Sequence, residues 1–156
     1  MTGHAELAAH ESGFEIRGAC IVCTASVRGT NLSTEWAAAR IRRAMPTFGA
    51  TFDTNSNSRI CFTKHGNRYD LTGVVTVSET QDGIRVTAES DVSVILIRSA
   101  AVLMPLALLY PFARLDGRWC ALGGGAWVLG VVLRCAWIAV MLRTFARAGT
   151  ARDRAT

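Results

Sequence analysis

Four residues in the N-terminal half have the side-chain types and spacing that a metal site could use. Cys20 and Cys23 form a Cys-x2-Cys pair, and Cys61 lies four positions before His65. Three thiolates and one imidazole are a known ligand set for structural zinc. However, residues three apart on a strand point to opposite faces, and no glycine follows Cys23 to form a tight turn. Free thiols are therefore the favoured interpretation, and we expect no metal and no other cofactor.

The other polar residues give no pattern that indicates catalysis. His4 and His10 lie in a polar N-terminal segment, and His65 lies in a turn. The order of these residues does not suggest a Ser-His-Asp or Cys-His nucleophile. The segments HGNR and GGG do not connect a strand to a capped helix, as a phosphate-binding loop requires. We therefore expect that this protein is not an enzyme.

The basic residue in the most unusual context is Arg134, at the sixteenth position of the apolar segment 119–142. A charge near the centre of a bilayer costs about 2.5–3.5 kcal/mol. Neither this segment nor the apolar segment 94–113 contains Asp or Glu. Pro105 leaves the carbonyl of Ala101 without its helical hydrogen bond, at a similar depth in the other segment. We hypothesise that Arg134 faces this first helix or an acidic group of a partner protein. The alternative is an arginine tolerated through helix tilt and local thinning of the bilayer.

Small residues accompany Arg134 on one face of the second apolar segment. At offsets of 7, 4 and 3, this face contains Gly123, Gly130, Arg134 and Trp137. Small residues at such positions let another helix approach closely in a membrane. The face is therefore predicted to bind a partner subunit or a second copy of the chain.

The elements that position these residues differ along the chain. Residues 1–12 are expected to be flexible, and residues 13–92 are predicted to form a cytosolic domain of the α+β class. Its predicted fold is a small antiparallel β-meander with one amphipathic helix, in the order β-α-β-β-β-β. Residues 13–27 form one long strand or two short ones around Gly18, where a bend is expected.

The predicted helix of this domain has clear boundary signals. It covers residues 34–45, is capped by Ser33 or Thr34, and is ended by Pro46. After it, apolar and polar residues alternate, as in strands with one buried face and one face in water.

Two apolar segments follow the domain, and they predict a transmembrane helical hairpin over residues 93–142. The segments 94–113 and 119–142 contain 20 and 24 residues, each with a single charge. At about 1.5 Å per residue, each can cross a hydrocarbon core of about 30 Å. The alternative is a core hairpin of a soluble protein. It is disfavoured because the predicted domain has no second apolar face to cover two long helices.

The charge distribution argues against nucleic acid and predicts a topology. The net charge is +5, but residues 1–91 carry nine basic and ten acidic residues. The excess lies in residues 92–156, with eight arginines and two aspartates. The predicted basic tail, 143–156, has four arginines and the link between the helices has two. The positive-inside rule therefore predicts cytoplasmic N- and C-termini.

Several arginines outside the membrane segments, or near their ends, are candidates for contact with anionic lipid. They are Arg40, Arg43, Arg98, Arg143 and Arg147. For Arg40 and Arg43 the alternative is a solvated helix end, where the helix macrodipole favours cations.

Together these features predict an integral membrane protein that acts as a non-enzymatic accessory or assembly subunit of a membrane complex. One alternative is a small oligomeric channel or transporter that uses Arg134. Another is a membrane-tethered domain that binds lipid or a small ligand between helix 34–45 and the sheet. The expected partners are membrane lipid and other membrane subunits or a second copy.

Overall fold

The computed structural model describes residues 11–29, 32–53, 56–66, 70–101 and 117–151. The strands are β1 (Glu11–Arg17), β2 (Cys20–Arg28), β3 (Ala50–Asp53), β4 (Arg59–Lys64), β5 (Leu71–Thr80) and β6 (Gly83–Asp91). The helices are α1 (Thr34–Ala44), α2 (described over 93–101) and α3 (Gly117–Thr150). A short 3-10 helix, Met45–Phe48, follows α1.

The described strands form one antiparallel sheet in the order β1-β2-β6-β5-β4-β3. The α+β class is confirmed, and β3 to β6 form the predicted meander. The predicted first strand is instead a hairpin of β1 and β2, which turns where Gly18 adopts a φ of 58°. This left-handed conformation suits glycine. The β1–β2 hairpin does not join the sheet beside β3, the strand of the meander that is nearest to it in the sequence. It joins beside β6 instead, and β2 pairs with β6 along its whole length.

Helix α1 agrees closely with its prediction. The backbone N–H of Trp36 donates to the side chain of Ser33 over 3.2 Å, so Ser33 is the N-cap. At the other end the chain tightens into the 3-10 helix that contains Pro46, and Gly49 ends it with a φ of 66°. The expected strand after the helix therefore begins only at Ala50.

Two helices, rather than the predicted one, cover the apolar face of the sheet. The second is the C-terminal part of α3, which lies beside α1 and against β2 and β6. The ring of Phe145 lies 5.4 Å from that of Phe62 and 5.5 Å from that of Phe48. The buried residues that α3 contributes to the core are Ile138, Met141, Leu142, Phe145 and Ala146.

The structure shows the predicted hairpin only in part. Among the described residues, one helix is long and apolar enough to cross a membrane. It covers Gly123–Thr150, and most of it is not buried. The predicted first span is helical over 94–101, and its remaining residues lie outside the described part of the chain. The second predicted span does not end at residue 142, because α3 continues to Thr150 along the sheet.

Candidate functional site

Helix α3 consists of two parts with opposite environments. In residues 138–150, called the docked half, one face is buried against the sheet and α1. In residues 123–137, called the exposed half, large apolar side chains face outward. Leu129 is 58% exposed and Leu133 is 60% exposed. Exposed apolar surfaces of this kind usually mark a site that contacts a membrane, a ligand or another protein. Because this one lies on a helix that is packed against the domain at one end, it is the main candidate binding surface of the molecule.

Both apolar helices meet the domain at the same end of the sheet. The chain enters α2 directly after β6, where the N–H of Val92 donates to the carbonyl of Ala19 over 2.8 Å. The N–H of Ser93 donates to the Asp91 carboxylate over 2.7 Å, and this bond lowers the pKa of Asp91. Trp137 of α3 lies at that end too, with its ring centroid 4.9 Å from Lys64 Nζ. No linker therefore separates the domain from either helix.

Arg134 lies one turn before the docked half begins. Its side chain is exposed, and it shares a helix face with Ile138 and Met141, which are buried in the core. Arg134 therefore lies on the side of α3 that turns towards the domain. It already interacts with another residue of the chain. Pro105 lies outside the described residues, so the hypothesis that Arg134 faces the first apolar helix or a partner protein stays a prediction.

The glycines of the exposed half have no close neighbour among the described residues. A Cβ atom built at Gly123 or Gly130 meets no described atom within 4 Å. Trp137, predicted on the same face, instead makes an edge-to-face contact with Phe48, with ring centroids 6.5 Å apart. The predicted face is therefore divided between an open glycine surface and a tryptophan held by the domain.

The candidate metal ligands are not brought together. Cys23 is buried on the core side of β2, whereas Cys61 is exposed on β4. Two strands lie between β2 and β4, which separates the two by roughly 14 Å at about 4.8 Å per strand. His65 Nδ1 lies 3.1 Å from an oxygen of Asp70. Cys20 opens β2, and no group of three or more possible ligands occurs within the described residues.

The predicted lipid-contacting arginines lie on three helices. Arg40 and Arg43 are on α1, where the Arg40 guanidinium lies 5.0 Å from the ring centroid of Trp36. Arg98 is exposed on α2, while Arg143 and Arg147 are exposed on the docked half of α3. Arg143 and Arg147 thus belong to a docked helix and lie on its exposed side.

A groove that the sequence did not reveal runs between β1 and the docked half of α3. Its volume is about 190 Å³, and its walls include Phe14, Ala139, Val140 and Arg143, with Cys23 at its inner side. The Cys23 thiol contacts the carbonyl of Ala139 over 3.7 Å. Burial raises the pKa of this thiol, and the Arg143 charge offsets part of the rise. The packing of α3 against β2 brings these residues together, and it joins Cys23 and Ala139, which are 116 positions apart in the chain.

The expected ligand space between α1 and the sheet is filled. Ala37, Ala38 and Ile41 of α1 are completely buried, and the docked half of α3 occupies the area beside them. A larger depression, of about 590 Å³, lies at the opposite end of the sheet around the β5–β6 turn. It adjoins residues 30–31, which lie outside the described part of the chain.

Comparison with known proteins gives no match for this chain. No protein-family model, curated protein or solved structure matches the chain.

Proposed function

We propose that this chain is an integral membrane protein whose α+β domain is held at the bilayer surface and acts as a non-enzymatic accessory or assembly subunit. The supporting observation is the division of α3 into a docked half and an exposed apolar half. A soluble monomer rarely exposes so continuous an apolar surface, whereas lipid tails would cover it without further contacts.

The length of α3 outside the core fits a single crossing. Residues 117–137 extend about 31 Å at 1.5 Å per residue, close to the thickness of the hydrocarbon core. Trp119 and Trp137 stand near the two ends of this stretch, as expected for residues at membrane interfaces. On this alignment Arg134 lies about one turn from the interface rather than near the centre. A role for Arg134 in lining a pore therefore receives no support.

The chain leaves the domain after β6 and returns to it in α3, and this path restricts the membrane topology. β6 and the docked half of α3 belong to one hydrophobic core, so the residues between them must cross a membrane an even number of times. The second crossing is assigned to the apolar segment 94–113. The N- and C-terminal parts of the domain then lie on one side. The four arginines of 143–156 favour the cytoplasmic side, compared with two in the link.

The subunit role follows from how the domain is joined to the membrane. Helix α3 runs from the exposed half into the core without a break, so any tilt of the membrane helix moves the domain with it. The open surface around Gly123 and Gly130 can accept a helix of another subunit at short distance. Such a protein is suited to holding a cytosolic surface at a fixed position beside a membrane partner.

Extraction of membranes with alkaline carbonate tests the membrane assignment. The wild-type protein should stay in the pellet. Val128→Arg combined with Leu129→Arg should move it towards the supernatant, because each charge costs roughly 2.5–3.5 kcal/mol near the bilayer centre. Thr72→Arg, on the exposed face of β5, adds a charge outside the membrane segment and should change nothing. Release of the wild-type protein by carbonate would overturn the proposal.

The subunit role needs a second measurement. Purification in a mild detergent should yield the chain with a stoichiometric membrane partner or as a defined oligomer. Gly130→Leu should break that association while leaving the domain folded. Recovery of the wild-type protein only as a monomer would contradict the subunit role and leave the membrane assignment intact.

A further inference from the structure

One edge of the sheet carries apolar side chains that neither α1 nor α3 covers. Phe14 of β1 stands opposite Cys23 of β2, and Ile16 stands opposite Ile21. Residues directly opposite each other in an antiparallel pair project from the same face, so Phe14 and Ile16 continue the core face beyond α3. Their side chains are 59% and 65% exposed. Of these two residues, Phe14 forms part of the outer wall of the groove beside the docked half.

The facing surface of α3 changes from apolar to basic along one line. Leu129, Leu133 and Val140 recur at offsets of 4 and 7, share one helix face, and are all exposed. Arg143 and Arg147 continue the same line after Val140 and are also exposed. From the exposed half towards the domain, the surface therefore offers hydrocarbon contacts first and guanidinium groups second. A phospholipid whose tails point into the bilayer has the same order.

We propose that the groove binds one anionic phospholipid of the surrounding bilayer. One acyl chain lies against Phe14, Ala139 and Val140 and continues along Leu133, and the phosphate binds Arg143. This assignment rests on the proposed membrane location of α3. The groove, at about 190 Å³, is smaller than the roughly 300–1,000 Å³ of pockets that enclose a whole ligand. A segment of a single acyl chain fits this volume.

The chemistry of the headgroup follows from Arg143. A guanidinium presents a planar pair of donors that matches two phosphate oxygens, and the resulting charge-assisted hydrogen bonds are strong. A zwitterionic headgroup adds a cation beside the phosphate, close to Arg143 and Arg147, and an anionic headgroup does not. The site should therefore prefer phosphatidylglycerol over phosphatidylcholine with identical chains.

Native mass spectrometry of the full chain in a mild detergent can measure this preference. Titration with dioleoyl phosphatidylglycerol and dioleoyl phosphatidylcholine should give a dissociation constant about tenfold lower for the anionic lipid. Arg143→Ala should remove the preference, and Arg143→Lys should restore part of it. Phe14→Ser should weaken binding of both lipids about fivefold, since the acyl-chain wall is lost.

Two matched variants control for charge and for edge-strand hydrophobicity. Arg85→Ala removes an exposed arginine from β6, and Phe52→Ser removes an exposed phenylalanine from β3 at the other sheet edge. Both should leave the two dissociation constants within about twofold of wild type. Equal binding of the two lipids by wild type, or equal losses in the control variants, would overturn the lipid site. If the protein resists carbonate extraction, those results refute the lipid site alone, whereas release by carbonate refutes the membrane location as well.

Discussion

The two halves of α3 are similar in hydrophobicity and opposite in environment. The exposed half is apolar around most of its circumference, which is typical of a helix surrounded by lipid or buried on all sides. The docked half is amphipathic, with Met141, Leu142 and Phe145 against the core and Arg143 and Arg147 outside. Mean hydropathy does not separate these cases, whereas the position of the charged residues around the helix does.

The strongest test of this comparison removes one half of α3 at a time. A stop codon after Trp137 deletes the docked half and with it five core side chains, including Leu142 and Phe145. Because small domains are stable by only about 5–15 kcal/mol, we expect complete loss of the fold. Far-UV circular dichroism and limited proteolysis in detergent would record it.

The complementary deletion replaces residues 102–131 with a flexible linker and keeps the docked half. This protein should retain the protease-resistant domain and no longer need detergent. A folded domain in the first deletion would show that the docked half is not an essential part of the core. An unfolded domain in the second would show that the docked half is not sufficient to complete the core without the replaced residues.

Two leucines of α3, one in each half, test the same contrast through the same substitution to alanine. Leu142 is fully buried and Leu133 is 60% exposed. Leu142→Ala should lower the free energy of unfolding by about 2–5 kcal/mol, since it leaves a cavity. Leu133→Ala should change it by less than about 0.5 kcal/mol. Chemical denaturation in one detergent measures both, and equal losses would remove the distinction between the halves.

Two glycines in α3 give effects of opposite sign. A Cβ at Gly149 would lie 2.8 Å from Ile41 Cδ1 and 3.0 Å from Val86 Cγ2, both in the core. Gly149→Ala should therefore destabilise the domain by about 1–3 kcal/mol through overpacking. Gly130→Ala meets open space among the described residues and should stabilise the helix by about 0.5–1 kcal/mol. If Gly130→Ala instead dissociates an oligomer, a helix of another subunit occupies that surface.

The smallest expected effect is a pH dependence of the folding stability, and it arises from the Cys23 thiol, which is buried against α3. Burial raises the pKa of Cys23 above the ordinary value of 9.0, so the unfolded chain loses this proton more readily. The stability that Cys23 contributes is complete below about pH 9 and is lost as the pH rises beyond it. Between pH 7 and pH 10, the wild-type protein should thus lose more stability than Cys23→Ala. An identical pH dependence in the two proteins would contradict the burial of this thiol beneath the docked half.

Local signals in the sequence were sufficient for much of the domain. The cap at Ser33 and the stop at Pro46 predicted α1 with nearly correct bounds, and the alternation of apolar and polar residues predicted the strands that follow it. These features depend on neighbours within a few residues, which are visible in the sequence.

Long-range features were not accessible in the same way. The pairing of β2 with β6 joins residues that are 55 to 71 positions apart, and nothing local requires it. The docked half was assigned to a membrane span and a tail because its apolar residues follow directly on the exposed half. Its amphipathic spacing, with Arg143 and Arg147 on one side, was the available signal. The groove beside Phe14 depends on both of these features and could not be predicted.

The position of the docked half after the apolar residues of 94–137 has a consequence for biosynthesis. The core remains incomplete until residues 138–150 leave the ribosome, and by then every apolar residue of 94–137 has been translated. On the proposed topology, membrane insertion therefore precedes closure of the cytosolic domain. The domain can then form only on a chain that has already returned to its starting side, so its folding reports that the membrane segments were inserted in the correct orientation.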